Sequence, residues 1–346
     1  MKDKLFGKTL SELQEIVVRE GMPTFVAGQI SDWLYKKHIT EIQEMKNLSK
    51  TNRINLQEKF EIGLSPPIKE QTSIDGTKKY LYPATGNKFI ESAYIPDKDR
   101  ATLCISSQIG CKMGCLFCMT GKQGFQGQLS AGEIVNQIHS LPEFDQLTNI
   151  VYMGMGEPFD NLKEVLKSLE IMTSEWGYAW SPKRITVSTI GIIPAMQQFL
   201  AEAKAHLAIS LHSPFEDDRK KIMPIENVYP LPKLLQAIRN FKWGKQRRIS
   251  FEYILFKGFN DSQRHVNELA KILNGIKCRI NLLRFHPIPD SPLESPDEKA
   301  IVEFREKLTS KGITTTIRAS RGQDIFAACG LLSTKELQKN TEPIDF

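Results

Sequence analysis

Four cysteines fall in one short run of this 346-residue chain, CISSQIGCKMGCLFC, from Cys104 to Cys118. Cys111, Cys115 and Cys118 are spaced C-x3-C-x2-C, and Cys104 stands seven residues upstream of them. Thiolates this close can converge on one inorganic centre. Structural zinc usually takes four ligands, often as two C-x2-C pairs, and no second pair follows here. Three cysteines on an iron–sulfur cube leave one iron open to a substrate. The plainer readings of the same residues are a zinc knuckle, or thiols buried as small hydrophobes. Cys329 lies far along the chain in Ala327-Ala328-Cys329-Gly330, after the basic and Gly-bearing run from Arg318 to Gly322. That setting suits a loop that enters the mouth of a barrel. Cys278 opens an expected strand and reads as structural.

Further polar residues fall where expected strands end. Gly154-Met155-Gly156-Glu157-Pro158 follows one strand. Glycines there let backbone approach a ligand, and Glu157 is placed to accept from an ammonium. Ser188, in Val187-Ser188-Thr189, and Ser210-Leu211-His212 end the next two strands and are candidates for holding ribose and carboxylate. His286, in Phe285-His286-Pro287, is placed to stack on or hydrogen-bond an adenine. Glu91 lies among apolar neighbours in a strand just before the cysteine run. A lone acid in a strand is more often on its wet face, and a catalytic role stays open.

The elements that must position these residues follow a clear rhythm. Residues 1–64 read as a separate helical domain. Thr9 and Glu12 form a possible capping box, and Leu13, Ile16 and Val17 recur at helical spacing. A second helix places Phe25, Ile30, Trp33 and Leu34 on its apolar side and ends in Lys36, Lys37 and His38, where cations suit the helix dipole. Ser65-Pro66-Pro67 marks a boundary, and 65–96 reads as a β linker. From 97 to 330 strand and helix alternate. Strands are predicted at 102–107, 149–155, 184–190, 205–212, 248–256, 278–285 and 314–319. Helices are predicted at 130–140, 161–175, 194–203, 231–241, 261–274 and 297–311. Such alternation gives an α/β fold with a parallel sheet and right-handed crossovers, here a (β/α)6 partial barrel with chemistry at the strand C-terminal ends. Residues 331–346 read as a polar tail.

Composition sets the outer limits. The chain is 40% hydrophobic and 25% charged, as in ordinary globular proteins. No apolar run approaches the ~20 residues that span a bilayer, and the first residues carry no signal-peptide pattern. Six cysteines, three packed together, speak against a secreted disulfide framework and for a reducing cytoplasm. The net charge of +6 suits a polyanion such as RNA, though many enzymes without one are as basic.

The cysteine spacing, with Phe117 before the last cysteine, resembles the signature of radical S-adenosylmethionine (SAM) enzymes. The whole chain resembles the RlmN/Cfr family of radical-SAM RNA adenine methyltransferases. The resemblance rests on ESAYI at 91–95, Leu103 to Cys118, GMGEPFDN at 154–161, VSTIGIIP at 187–194, SLHSP at 210–214, MPI at 223–225 and AACG at 327–330. It implies a [4Fe-4S] cluster on Cys111, Cys115 and Cys118, with SAM on the open iron. SAM contacts carry over onto Gly156, Glu157, Ser188, Ser210, Leu211 and His212. His286 stands where most members have Asn, and it cannot duplicate both hydrogen bonds of an amide. The implied chemistry methylates Cys329, activates that methyl with a 5′-deoxyadenosyl radical and adds its carbon to adenine. Cys104 then attacks the sulfur of Cys329, and a transient disulfide releases the methylated RNA. Glu91 matches the proton acceptor.

The resemblance also implies partners: 23S rRNA and tRNA, an external electron donor of flavodoxin or ferredoxin type, no membrane and a monomeric state. Within the family, Gly-Glu-Pro at 156–158 and the Phe-Asp-Asn after it favour methylation at adenine carbon 2. The alternative is the carbon-8 branch that confers antibiotic resistance. Two other classes stay open: a radical-SAM enzyme acting on a small molecule, and a non-enzymatic metal-binding RNA module.

Overall fold

In the computed structural model, residues 2–243 and 249–334 are described. Most of the tail read at 331–346 lies outside them. Three helices build the N-terminal unit: α1 (Leu10–Arg19), α2 (Val26–Tyr35) and α3 (Lys50–Lys59). Thr9 and Glu12 form the capping box expected of α1, which satisfies two backbone donors that a helix start leaves orphaned. Leu13, Ile16 and Val17 pack on Ile30, Leu34 and Tyr35, and the same cluster takes in Val135 and Ile171 from the following domain. Phe25, expected on the apolar side of α2, is instead 68% exposed. It precedes the first helical residue, so its side chain leaves the helix before the buried stripe begins.

One ten-stranded sheet carries the rest. Its strands are β1 (Lys69–Thr72), β2 (Lys78–Ala84), β3 (Lys88–Asp97), β4 (Arg100–Cys104), β5 (Asn149–Tyr152), β6 (Ile185–Thr189), β7 (His206–Ser210), β8 (Ile249–Leu255), β9 (Cys278–Arg284) and β10 (Thr315–Ile317). The spatial order is β10-β9-β8-β7-β6-β5-β4-β3-β2-β1. Neighbours from β4 to β10 pair in parallel, whereas β1 to β4 form an antiparallel meander. Parallel neighbours need crossovers, and the chain supplies them as α4 (Met119–Gln123), α5 (Ala131–His139), α6 (Leu162–Thr173), α7 (Ile193–Glu202), α8 (Glu216–Ile222), α9 (Leu231–Asn240), α10 (Gln263–Ile272) and α11 (Glu298–Ser310). The segment read as a linker, 65–96, thus holds three strands of this sheet, because Tyr94 and Leu103 fall opposite one another and zip β3 onto β4.

Side chains of a strand alternate between faces. Along β8, Ser250, Glu252 and Ile254 face the concave side, and along β9 so do Arg279, Asn281 and Leu283. The register aligns them in layers: Ser250 pairs with Arg279, and Glu252 with Asn281. The barrel interior therefore has a lower layer at the strand N-terminal ends, a middle layer at Glu252, and an upper mouth at the C-terminal ends.

Candidate active site

The upper mouth holds a cavity of about 130 Å³ lined by Cys111, Cys115 and Cys118 together with Gly156, Glu157, Ser188, Ser210 and His212. These are residues the sequence singled out on four separate segments. The loop after β4 bears the three cysteines, and none of them is in a disulfide. Burial pushes the Cys111 thiol up to about 12, and burial followed by the neighbouring Cys118 and Cys111 thiols pushes Cys115 well up. Thiols gathered in one wall, with ionisation disfavoured at Cys111 and Cys115 by burial and by neighbouring sulfurs, fit a cationic inorganic centre that would hold them as thiolates. Among the described residues no three donors converge on a single-ion position.

Gly156 and Glu157 form the lip after β5. Gly156 has φ +98°, and an added Cβ would sit 2.4 Å from Gln108 Cβ, so only glycine fits. Glu157 is buried and accepts from Thr189 Oγ1 at 2.6 Å, Phe159 N at 3.0 Å and Ile190 N at 3.0 Å. Burial pushes its carboxyl up to about 7 in spite of those bonds. A carboxylate has about four acceptor positions, so one remains for an incoming ammonium, whose charge would draw the value back down.

Ser210 and His212 end β7. His212 has φ +53°, and its Nδ1 accepts from Ile254 N at 2.9 Å. That bond requires a neutral ring, and burial, reinforced by Arg219, pushes its pKa down to about 3. Leu211 is fully buried and does not line the cavity, although its backbone N donates to Glu252 O at 2.9 Å. Sequence reasoning missed the residue that organises this corner. Arg219 of α8 is wholly buried, donates to Leu211 O at 2.9 Å and Ser210 O at 3.1 Å, and is paired with Glu226. In the sequence, Glu-Asp-Asp-Arg-Lys-Lys looks like a solvated helix face, and nothing distinguishes its arginine.

Cys329 sits on a loop that crosses the open side of the barrel. Met119 N donates to Gly330 O at 2.8 Å, and Gly322 N donates to Asp75 Oδ2 at 2.9 Å. Asp324 accepts from Ser73 Oγ at 2.5 Å and Ile74 N at 3.2 Å. Gly322 has φ +64°, and a Cβ there would meet Thr77 and Ala327 at 2.8 Å. The β1–β2 hairpin thus clamps the loop and presents Cys329 to the cavity of the three cysteines.

Cys104 ends β4 beneath this loop. Burial, then the nearby Cys329, pushes its thiol up to about 12, while Arg318 draws it down. Cys329 itself is exposed on its loop, and of the charges around its thiol Arg318 draws it down while Glu252 and Cys118 raise it. The two thiols and the guanidinium therefore form one electrostatic unit. Arg318 donates to Met153 Sδ at 3.1 Å and stands 3.7 Å from Glu252 Oε2. Sequence reasoning singled out neither Arg318 nor Glu252 as a pair. Only the curl of the sheet brings β8 and the end of β10 together.

Two expected residues lie elsewhere. Glu91 is fully buried in β3, 3.2 Å from Lys79 Nζ, and accepts from Ser333 N at 2.9 Å. It is absent from the walls of the cavity. His286 lines a second, lower cavity of about 420 Å³, with Nε2 2.5 Å from Ser320 Oγ. Met153, Glu252, Leu283 and Cys329 belong to the walls of both cavities.

Comparison with known proteins agrees with this geometry. Residues 105–270 match the radical SAM superfamily, and residues 4–62 match the ribosomal RNA large subunit methyltransferase N-terminal domain. A relative from Bacteroides thetaiotaomicron, named a probable dual-specificity RNA methyltransferase RlmN, is 56% identical over 99% of both chains. Another from Syntrophus aciditrophicus, named a dual-specificity RNA methyltransferase RlmN, is 42% identical over 96% of both. The crystal structure of a radical SAM methyltransferase from Sphaerobacter thermophilus superposes with a TM-score of 0.89 at 38% identity, covering 95% of this chain and 99% of that one. Radical-SAM enzymes work with a [4Fe-4S] cluster and SAM, and this chain belongs to the RlmN family of radical-SAM RNA methyltransferases.

Proposed function

We propose that the protein methylates carbon 2 of a specific adenine in 23S rRNA and in tRNA, using Cys329 as the methyl carrier and Cys104 as the resolving thiol. One observation carries the reading. Cys329 is held by the hairpin clamp in the wall of the cavity lined by Cys111, Cys115 and Cys118, with Cys104 and Arg318 beside it. The relatives' RlmN names favour the carbon-2 branch over carbon 8, and "dual-specificity" in those names agrees with two RNA classes.

The cluster and SAM, when bound, supply a methyl donor and a 5′-deoxyadenosyl radical. Cys111, Cys115 and Cys118 would hold the cluster. Glu157 would take the ammonium of SAM, and Ser188, Ser210 and His212 would face its remaining polar groups. Gly156 makes room by its missing side chain, and Leu211 contributes backbone only. Arg318 stabilises thiolate character at Cys329 when it accepts the methyl, and at Cys104 when that sulfur attacks Cys329. Once the odd electron of the adduct has passed to the external electron carrier, the attack forms one S–S bond and breaks the bond from Cys329 sulfur to the carbon now on adenine. The bonding pair stays with that carbon and takes a proton to give the methyl group. Adenine carbon 2 is electron-poor, so a polar methyl transfer fails there and a carbon radical succeeds. Glu91, paired with Lys79 and buried outside both cavity walls, would take the proton only once the bound adenine opens a path to it. His286, facing the lower cavity, belongs to the nucleotide side of the reaction.

The same reading takes the electrons from a flavodoxin- or ferredoxin-like donor and places a monomeric enzyme in the cytoplasm. No helix among the described residues is long and apolar enough to cross a membrane. The reading is tested by intact-protein mass spectrometry after anaerobic incubation with SAM and a reductant. One methyl group on Cys329, absent from Cys329→Ala, is expected. An unmodified Cys329 beside full SAM turnover contradicts the reading.

A further inference from the structure

The lower cavity has no part in holding the cluster. A closed (β/α)8 barrel fills its interior with layers of side chains, yet here about 420 Å³ stays open from the N-terminal ends of β4 and β9 up to the Cys329 loop. That volume lies in the range of ligand pockets. Five arginines and two carboxylates line it. Three of the arginines have anionic partners: Arg318 with Glu252, Arg321 with Asp97 at 3.3 Å, and Arg284 with Glu298 at 2.6 Å. Arg100, the first residue of β4, and Arg279, the second of β9, have none among the described residues. Arg279 is half-buried and Arg100 exposed. Two unpaired guanidinium groups in one cavity wall leave their forked donors free for a phosphate that a ligand brings.

We infer that this lower cavity is the entrance for RNA, and that Arg100 and Arg279 hold phosphates flanking the target adenosine at its rim. The inference rests on the RNA reading above and deepens it. Cofactor and substrate then approach from opposite ends of the barrel. The cluster cysteines occupy the upper mouth, the nucleotide enters from below, and Cys329 stands in the wall common to both. That arrangement explains how one residue can first meet a methyl donor and later an adenine without either displacing the other. Phosphate contacts position a strand but carry no sequence information. Arg100 and Arg279 would therefore serve an rRNA and a tRNA alike.

The test uses the full chain with reconstituted cluster and the double variant Arg100→Glu/Arg279→Glu. Binding of a 23S rRNA stem-loop and of a tRNA is measured by anisotropy across salt concentrations, and RNA-free methylation of Cys329 is followed in parallel. Two lost phosphate contacts should weaken both RNAs at least ~10-fold and flatten the salt slope by roughly 1.5, with Cys329 methylation unchanged. Unchanged affinity and slope would overturn the inference, as would weakening confined to one RNA. If the double variant also loses Cys329 methylation, the milder Arg279→Gln decides: it must weaken both RNAs several-fold with methylation intact, and equal affinity rejects the inference. If the wild-type protein binds neither RNA while Cys329 is methylated normally, the RNA reading itself falls and this inference with it.

Discussion

The Arg318 guanidinium stands in the lower cavity 3.7 Å from the carboxylate of Glu252, a residue of both cavity walls, and beside both Cys104 and Cys329. Glu252 is itself fixed by Asn281 Nδ2 at 2.8 Å and Ser250 Oγ at 3.0 Å. Removing one partner of a buried pair leaves an uncompensated charge. Arg318 is partly open to the cavity, so Arg318→Gln should cost about 1–3 kcal/mol, below the full penalty for a sealed pair. It should also raise the pH at which Cys104 and Cys329 react with iodoacetamide, because the cation that favours their thiolates is gone. Arg318→Lys should restore much of that reactivity. An unchanged alkylation profile in Arg318→Gln would remove Arg318 from the thiol chemistry.

The two thiols divide the labour, and single variants should separate their roles. Cys329→Ala is expected to abolish both self-methylation and RNA methylation. Cys104→Ala should allow methylene transfer but block release, so that a covalent protein–RNA species accumulates and is seen on a denaturing gel. Multiple turnover by Cys104→Ala with no trapped species would exclude that cysteine from resolution.

The hairpin clamp should matter for rate rather than for assembly. Asp75 and Asp324 tie the Cys329 loop to the turn between β1 and β2 through Gly322, Ser73 and Ile74. Asp75→Ala/Asp324→Ala removes three such bonds, each worth ~1 kcal/mol net. The pair of changes should slow Cys329 methylation about tenfold or more while the iron content of reconstituted protein stays the same. Faster hydrogen exchange confined to residues 320–330 is expected. A normal methylation rate would show that the loop finds its place without the hairpin.

Acid should weaken the seat of the N-terminal helices. His139 packs on Phe6 at 4.8 Å and stacks on His38 at 4.3 Å, with Nδ1 2.6 Å from Tyr178 Oη. Burial, then His38, pushes its pKa down to about 3. A histidine with a depressed folded pKa favours unfolding once protons are available. Its contribution is whole above the unfolded value near 6.5 and is lost as pH falls through that window toward about 3. The loss approaches ~1.4 kcal/mol per pH unit for this one group. His212 and Glu157 also contribute to the pH dependence of urea unfolding between about 7.5 and 5, so the readout is the difference: His139→Asn should remove up to ~1.4 kcal/mol per pH unit from the wild-type slope. A wild-type slope unchanged in His139→Asn would place the acid sensitivity elsewhere.

Much of this architecture was legible before any coordinates. The strand expected at 184–190 is Ile185–Thr189, and the helix expected at 297–311 is Glu298–Ser310. Each carries its apolar period undisturbed, because each buries only one kind of face. The cluster residues were legible because their chemistry is local: three cysteines within one loop need no fold to announce them. Charged pairs closed by topology were hidden. Glu91 read as an acid more often found on a wet face, and nothing in the sequence paired it with Lys79 or paired Glu252 with the distant Arg318, until antiparallel pairing and barrel curvature bring them together. The merger of 65–96 into the main sheet was hidden for the same reason. Its own turns and prolines are visible, while its partner strand β4 belongs to the next unit. His286 shows the limit of placing a residue by its strand end alone. A side chain there can face either cavity, and this one faces the lower.

The most direct test of the account is mass spectrometry of nucleosides from unmodified 23S rRNA incubated anaerobically with the reconstituted enzyme, SAM and a reductant. The expected product is 2-methyladenosine, formed by the wild-type protein and not by Cys329→Ala. Formation of 8-methyladenosine would contradict the assigned position. Release of 5′-deoxyadenosine with no methylated adenosine would contradict the assignment to RNA.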